Sequence, residues 1–124
     1  MTSIPDKDVE GLVVVTKHAL ASSNQLRSPP DRLNLAGYSN QVQLWGADAA
    51  LDFIETNWHD VINYLMEVGA AKKMSTTISM PTMGYRAIER IESYVRETLP
   101  GCKISVPGPT MTIDWADLTI AALE

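Results

Sequence analysis

The stretch from Leu44 to Val68, LWGADAALDFIETNWHDVINYLMEV, constrains the chain most. Its apolar residues Leu51, Ile54, Trp58, Val61, Ile62, Leu65 and Met66 recur at helical spacings. That period places them on one stripe of a helix. Asp48, Asp52, Glu55, His59, Asn63 and Glu67 fall mostly on the opposite side. No Lys or Arg occurs from Leu33 through Ala71, yet the span holds five acids, Asp48, Asp52, Glu55, Asp60 and Glu67. A chain built on this element must cover one greasy face, and it offers a second face of a single sign.

The 124 residues suit one domain. A chain of this size buries roughly two-thirds of its unfolded surface, enough for a core without covalent staples. Disorder is not expected, because 45% of the residues are hydrophobic and only 20% charged. Cys102 is the one cysteine, so no internal disulfide forms and a reducing compartment is the natural setting. The N-terminal residues lack the basic start and apolar run of a signal peptide, and the longest aliphatic run, Leu12 to Val15, is too short to span a bilayer. A cytoplasmic location is therefore expected, with no membrane contact.

Within the domain, residues 1–22 read as a helix, 23–43 as a loop connector, 44–71 as the acidic helical element and 72–124 as a β-α-β-β-α half. In the first helix Ser3 and Asp6 suit a capping box, and Val9, Leu12, Val13, Thr16 and Leu20 form the buried stripe. A strand over Leu12–Thr16 is the alternative, because Val13, Val14 and Val15 are β-branched. Ser22-Ser23-Asn24 ends the helix, Pro29-Pro30 bars regular structure, and Leu33, Leu35 and Tyr38 pin the connector to the core. A short strand from Ser39 to Trp45 fits this stretch as well. The acidic element reads as one helix or as two, with a break near Thr56-Asn57, and Gly69 ends it.

Residues 74–80 alternate, pointing Met74, Thr76, Ile78 and Met80 one way, as a strand does. Residues 82–98 carry the stripe Tyr85, Ile88, Ile91, Val95 and Leu99, and Pro100-Gly101 stops this helix. Residues 102–106 and 110–115 read as a hairpin around Pro107-Gly108-Pro109, followed by a short helix capped by Asp114. The order predicts an α+β fold, a small three-stranded sheet packed against the N-terminal helices. If the first two strands pair in parallel, the helix between them must cross over right-handed.

Catalytic signatures are absent: no G-x-S-x-G, P-loop or G-x-G-x-x-G occurs. Glu55 and His59 share a helical face, and with Asp52 or Asn63 they have the spacing of a metal site; a solvated face has the same spacing. His18 suits the C-terminal end of the first helix. Cys102 alternates with Ile104 and Val106, as a buried structural thiol does, although a nucleophile paired with His59 is the competing reading. Trp58 and Trp115 belong to the core. Trp45 sits at a loop-to-helix junction; packing in the core is the favoured reading there, and exposure as an interface anchor is the alternative.

Asp48 to Ile54 (DAALDFI) followed by Asp60 to Leu65 (DVINYL) resembles a pattern in small phage-encoded early-region accessory proteins. Those pair an Ala-rich "A-x-FI-A" helix with a "DV-x-x-LL" helix across a short break. The resemblance covers about 20 residues and departs at 55–58, where Glu-Thr-Asn-Trp stands in place of a small or Pro-containing break. It implies a mobile-element origin and a break near Asn57, and it supplies no catalytic residue.

The net charge of −5 concentrates in the middle: residues 33–71 carry −5, residues 72–103 carry +3 and residues 104–124 carry −3, while residues 1–32 balance. Direct binding to nucleic acid is disfavoured, since it relies on clustered Lys and Arg. The expected function is non-enzymatic: an acidic helix face docks on a basic protein surface of a host, for instance a nucleic-acid-binding or defence complex, and inhibits it as an anti-CRISPR does. The expected binding residues are Trp45, Asp48, Asp52, Glu55, Asp60 and Glu67, with no metal and no cofactor. Two readings compete with this one: a self-associating assembly protein or homodimer, and a small metal-dependent enzyme using Glu55 and His59.

Overall fold

The computed structural model describes residues 6–21, 30–39, 43–106 and 109–123. Seven elements follow in order: α1 (Asp6–Ala21), α2 (Gly46–Ala70), β1 (Ser75–Ser79), α3 (Tyr85–Thr98), β2 (Lys103–Ser105), β3 (Thr110–Asp114) and α4 (Ala116–Leu123). The fold is α+β, as expected. The Ser3 cap, the Ser22-Ser23-Asn24 stop and the Pro107-Gly108 turn lie outside the described residues. The expected strand from Ser39 to Trp45 lies partly outside them, and its described residues are not in a strand.

The sheet runs β1-β3-β2, with β3 antiparallel to both neighbours. So β1 and β2 point the same way without pairing, and the parallel pair considered from sequence does not form. The chain leaves β1, crosses through α3 and lays down β2 one strand away; β3 then folds back into the slot, a split β-α-β arrangement. Register aligns Thr76 with Ile113, Ile78 with Met111 and Ile104 with Ile113. One face therefore carries Ile78, Ile104, Met111 and Ile113, all buried. The other carries Ser75, Thr77, Ser79, Ser105, Thr110 and Thr112, with Thr77 and Thr112 hydroxyls 3.2 Å apart. Strict alternation in the sequence thus translates into a sheet with one core face and one hydroxyl-rich face.

The strand alternative for Leu12–Thr16 is overturned: α1 is helical throughout and buries Val9, Leu12 and Thr16. The helical spacing of these three outweighs the β-branched run, because burial of one stripe stabilises more than propensity costs. The break expected near Asn57, which the phage-protein resemblance also implied, is absent. α2 is one helix of 25 residues, about 37 Å long. Asn57 is buried, and its amide donates to the Phe53 carbonyl at 3.0 Å, one turn back. The side chain that resembled a cap is satisfied within the helix. Val61, Tyr64, Leu65 and Val68 carry the buried face onward, each large aliphatic side chain contributing roughly 1.5 to 3 kcal/mol on burial. Trp58 meets Tyr94 of α3 edge-on, ring centroids 5.2 Å apart.

Gly69 does not end α2; it is a close-packing position. A Cβ there would collide with the Thr16 hydroxyl of α1. The stop comes later. Lys72 takes φ 68, its N–H donates to the Gly69 carbonyl at 2.9 Å, and the Lys73 N–H donates to the Val68 carbonyl at 3.2 Å. That is a Schellman closure with lysine in the place glycine usually takes. Thr16 also joins the two ends of the chain. It accepts from the Trp115 indole at 2.9 Å and donates to the Leu12 carbonyl at 2.8 Å, and both Thr16 and Trp115 are fully buried. No described helix is long and apolar enough to cross a membrane.

Candidate functional site: the exposed face of α2 and the clefts at its N-terminus

Of the six expected binding residues, Asp48, Glu55, Asp60 and Glu67 are exposed on the outer side of α2, and Asp52 is half-buried. The two salt bridges among the described residues, Arg96–Glu92 and Lys103–Asp117, involve none of these acids. The structure thus brings the four acids to one helix side. Asp52 does a different job. It accepts a hydrogen bond from the Tyr38 hydroxyl. Partial burial, then the Asp52 hydrogen bond and charge, push the Tyr38 phenol well above its usual range. Tyr38 also stands edge-on to Phe53 at 5.1 Å, so it locks the connector onto α2, as expected of it, along with buried Leu35.

Trp45 is the N-cap of α2 and is 81% exposed. Packing in the core, the reading favoured from sequence, is overturned. The chain enters the helix through Gly46 at φ 57, a turn that glycine tolerates. The Trp45 side chain makes no capping hydrogen bond. A cleft of about 460 Å³ opens beside it, between Tyr38, Leu44 and Ala49 on one side and Thr82, Met83 and Ala87 on the other. A second cleft of about 460 Å³ shares Thr82 and Met83 and lies on the hairpin side of α3, against Tyr85, Ile88 and Val106. A third, on the α2 side of α3, is bordered by Ala47, Arg86 and Arg90.

Two residues depart from the expected stripes. Tyr85 is 75% exposed because it is the first residue of α3 and extends past the core; Ala87 takes the buried position instead. Leu51 is 44% exposed because the buried face of α2 is centred on Ala50, Phe53, Asn57 and Val61. Small alanines here let neighbouring elements approach, and that displaces the core side from where the largest apolar residues alone would put it. Sequence reasoning missed Tyr85 and Met83 as site residues. The available signal was the position of Tyr85 directly after Gly84, the N-cap.

The candidate chemistry is spare. Glu55 and His59 are both exposed, and among the described residues no group of three or more His, Cys, Asp and Glu is placed to hold a metal ion. Burial, then the charge of Asp114, pushes the Cys102 thiol up to about 11. A protonated, half-buried thiol is a poor nucleophile at neutral pH. Comparison with protein-family models, with curated proteins and with solved structures finds no match.

Proposed function

We propose that this chain is a non-enzymatic protein-binding factor that sets the outer side of α2 against a basic protein surface. The observation that carries this reading is Trp45, an exposed indole at an N-cap where Ser, Thr, Asp or Asn would stabilise the helix. It costs stability and returns no packing, as an interface anchor does. Along α2 from it, Asp48, Glu55, Asp60 and Glu67 lie exposed on the outer side. Exposed ion pairs contribute ~0.2 to 1 kcal/mol each, whereas a buried aromatic anchor contributes about 2 kcal/mol or more. Trp45 therefore carries affinity, and the acids carry orientation and association rate. The host complex as target and the inhibitory, counter-defence role rest on the phage-protein resemblance and the charge pattern, and the cytoplasmic setting on the lone cysteine, Cys102.

A tagged chain is used to capture partners from cell lysate, beside a bait carrying Asp48→Lys, Glu55→Lys and Asp60→Lys and a third carrying Trp45→Ala. The expected result is a basic, nucleic-acid-handling protein held by the native bait at low salt and lost from both variants, which keep their circular dichroism. Capture indifferent to all four substitutions and to salt would remove the acidic-face reading. Self-association, the alternative, was expected to use the apolar stripe of α2; of that stripe Ile54, Val61 and Leu65 are buried, Trp58, Ile62 and Met66 are partly buried against the core, and Leu51 is exposed.

A further inference from the structure

We infer that the cleft between α3 and the β2–β3 hairpin receives an arginine side chain from a partner protein. The inference rests on the reading above that the partner surface is basic, and it names where one of its cations goes. The cleft, about 460 Å³, has apolar walls in Pro81, Met83, Tyr85, Ile88, Val106 and Pro109. Its charged lining residues are Glu89 and Glu92, both acids. Glu92 is held by Arg96, whereas among the described residues Glu89 accepts only from the neighbouring Tyr85 hydroxyl and keeps carboxylate lone pairs for an incoming cation. Arg86 and Arg90 lie on the other flank of α3, facing Ala47 of α2, and Glu89 borders that flank as well.

The chemistry of arginine fits each wall. Its aliphatic stem lies on proline and branched side chains, as long cationic side chains do on apolar surfaces. Its planar guanidinium forks to a carboxylate and stacks on an aromatic face. Glu89 supplies the carboxylate, and the exposed Tyr85 ring beside it supplies the face; the Glu89 hydrogen bond and charge raise the Tyr85 phenol, which keeps its proton.

Bonds already made at Ser79 and Ile104 favour entry by side chain over strand addition at those positions. On the β1 edge the Leu35 N–H donates to the Ser79 carbonyl at 2.8 Å and the Ser79 N–H to the Leu33 carbonyl at 3.0 Å. On the β2 edge the Arg96 guanidinium donates to the Ile104 carbonyl at 3.0 Å. A partner segment finds these edge groups already bonded.

The test is an NMR titration of the ¹⁵N-labelled full chain with the capped peptide acetyl-Ala-Leu-Arg-Leu-Ala-amide, and with the same peptide carrying citrulline for arginine. Saturable amide shifts are expected at Tyr85, Ile88, Glu89 and Val106. Citrulline, Glu89→Gln and Tyr85→Ala are each expected to weaken the dissociation constant about fivefold to tenfold, the loss of one charge-assisted contact. The bait with reversed α2 charges should bind the peptide within about twofold of the native chain, since its substitutions lie outside the cleft. Equal binding of the citrulline peptide, shifts confined to α2, no saturable shift at millimolar peptide, or indifference to Glu89→Gln overturns the inference. The two readings fail separately. Partner capture that needs the α2 acids, with no peptide binding, removes the cleft alone; peptide binding with capture indifferent to α2 removes the α2 reading alone.

Discussion

At the scale of single residues, the tertiary structure sets chemistry that residue identity leaves open. Cys102 keeps its proton to about 11 rather than its ordinary 9.0 because burial, then Asp114, disfavours the thiolate. The unfolded chain releases that proton first, so the thiol's contribution to stability is complete below its ordinary value of 9.0. It falls as pH rises from there through the folded value. Urea midpoints measured between pH 7 and pH 11 should decline, and Cys102→Ala should flatten part of that decline. A slope unchanged by the substitution would show that the thiol titrates alike in both states. Modification by iodoacetamide at neutral pH should be slow for the same reason. Elsewhere one hydroxyl, that of Thr16, satisfies the Trp115 indole and limits Gly69 to glycine. Nothing in the local sequence of any of these three announces the other two.

At the scale of elements, the proposed reading has α2 exchange stability for surface. Its N-cap, Trp45, has the extended backbone of a capping residue, φ −131 and ψ 158, without the side-chain bond. Trp45→Ser should therefore stabilise the chain by about 0.5 to 1 kcal/mol, read as a higher urea midpoint at unchanged slope, while abolishing partner capture. A destabilised variant would mean that the indole packs in the native state after all. The acids along α2 need no such exchange, because an exposed face tolerates them. They also interact favourably with the helix dipole only at Asp48, in the first turn.

At the scale of the whole molecule, each sheet edge is engaged at one residue, Ser79 on β1 and Ile104 on β2, and one sheet face is buried. Arg96 holds the β2 edge, and its worth lies in the bond to the Ile104 carbonyl rather than in the exposed pair with Glu92. Arg96→Ala should cost about 1 kcal/mol, while Glu92→Gln should cost under ~0.5 kcal/mol, both read by urea unfolding. Equal losses would place the energy in the ion pair instead. The charge distribution works at this scale too: an overall −5 gathered over residues 33–71 gives the molecule an oriented field, which salt would screen.

Elements were legible wherever period and punctuation are local. The stripe of Ile91 and Val95 with its Pro100-Gly101 stop, the alternation from Met74 to Met80, and the placement of Ile104, Met111 and Ile113 on one face of the hairpin all follow from spacing. The acidic face of α2 was legible for the same reason, since helical period alone gathers Asp48, Glu55, Asp60 and Glu67. The sequence by itself thus determined the helices, the strands, the core side of the sheet and the sign of the outer helix face. What only the tertiary structure decided depends on which elements approach each other. The insertion of β3 between β1 and β2, the unbroken course of α2 past Asn57, the exposure of Trp45 and Tyr85, and the capture of Asp52 by Tyr38 are all of this kind. The strand insertion and the Tyr38–Asp52 bond join residues far apart in the chain, the exposures follow from how the elements pack, and the unbroken course of α2 rests on the Asn57–Phe53 bond together with burial of its inner face; spacing alone specifies none of these.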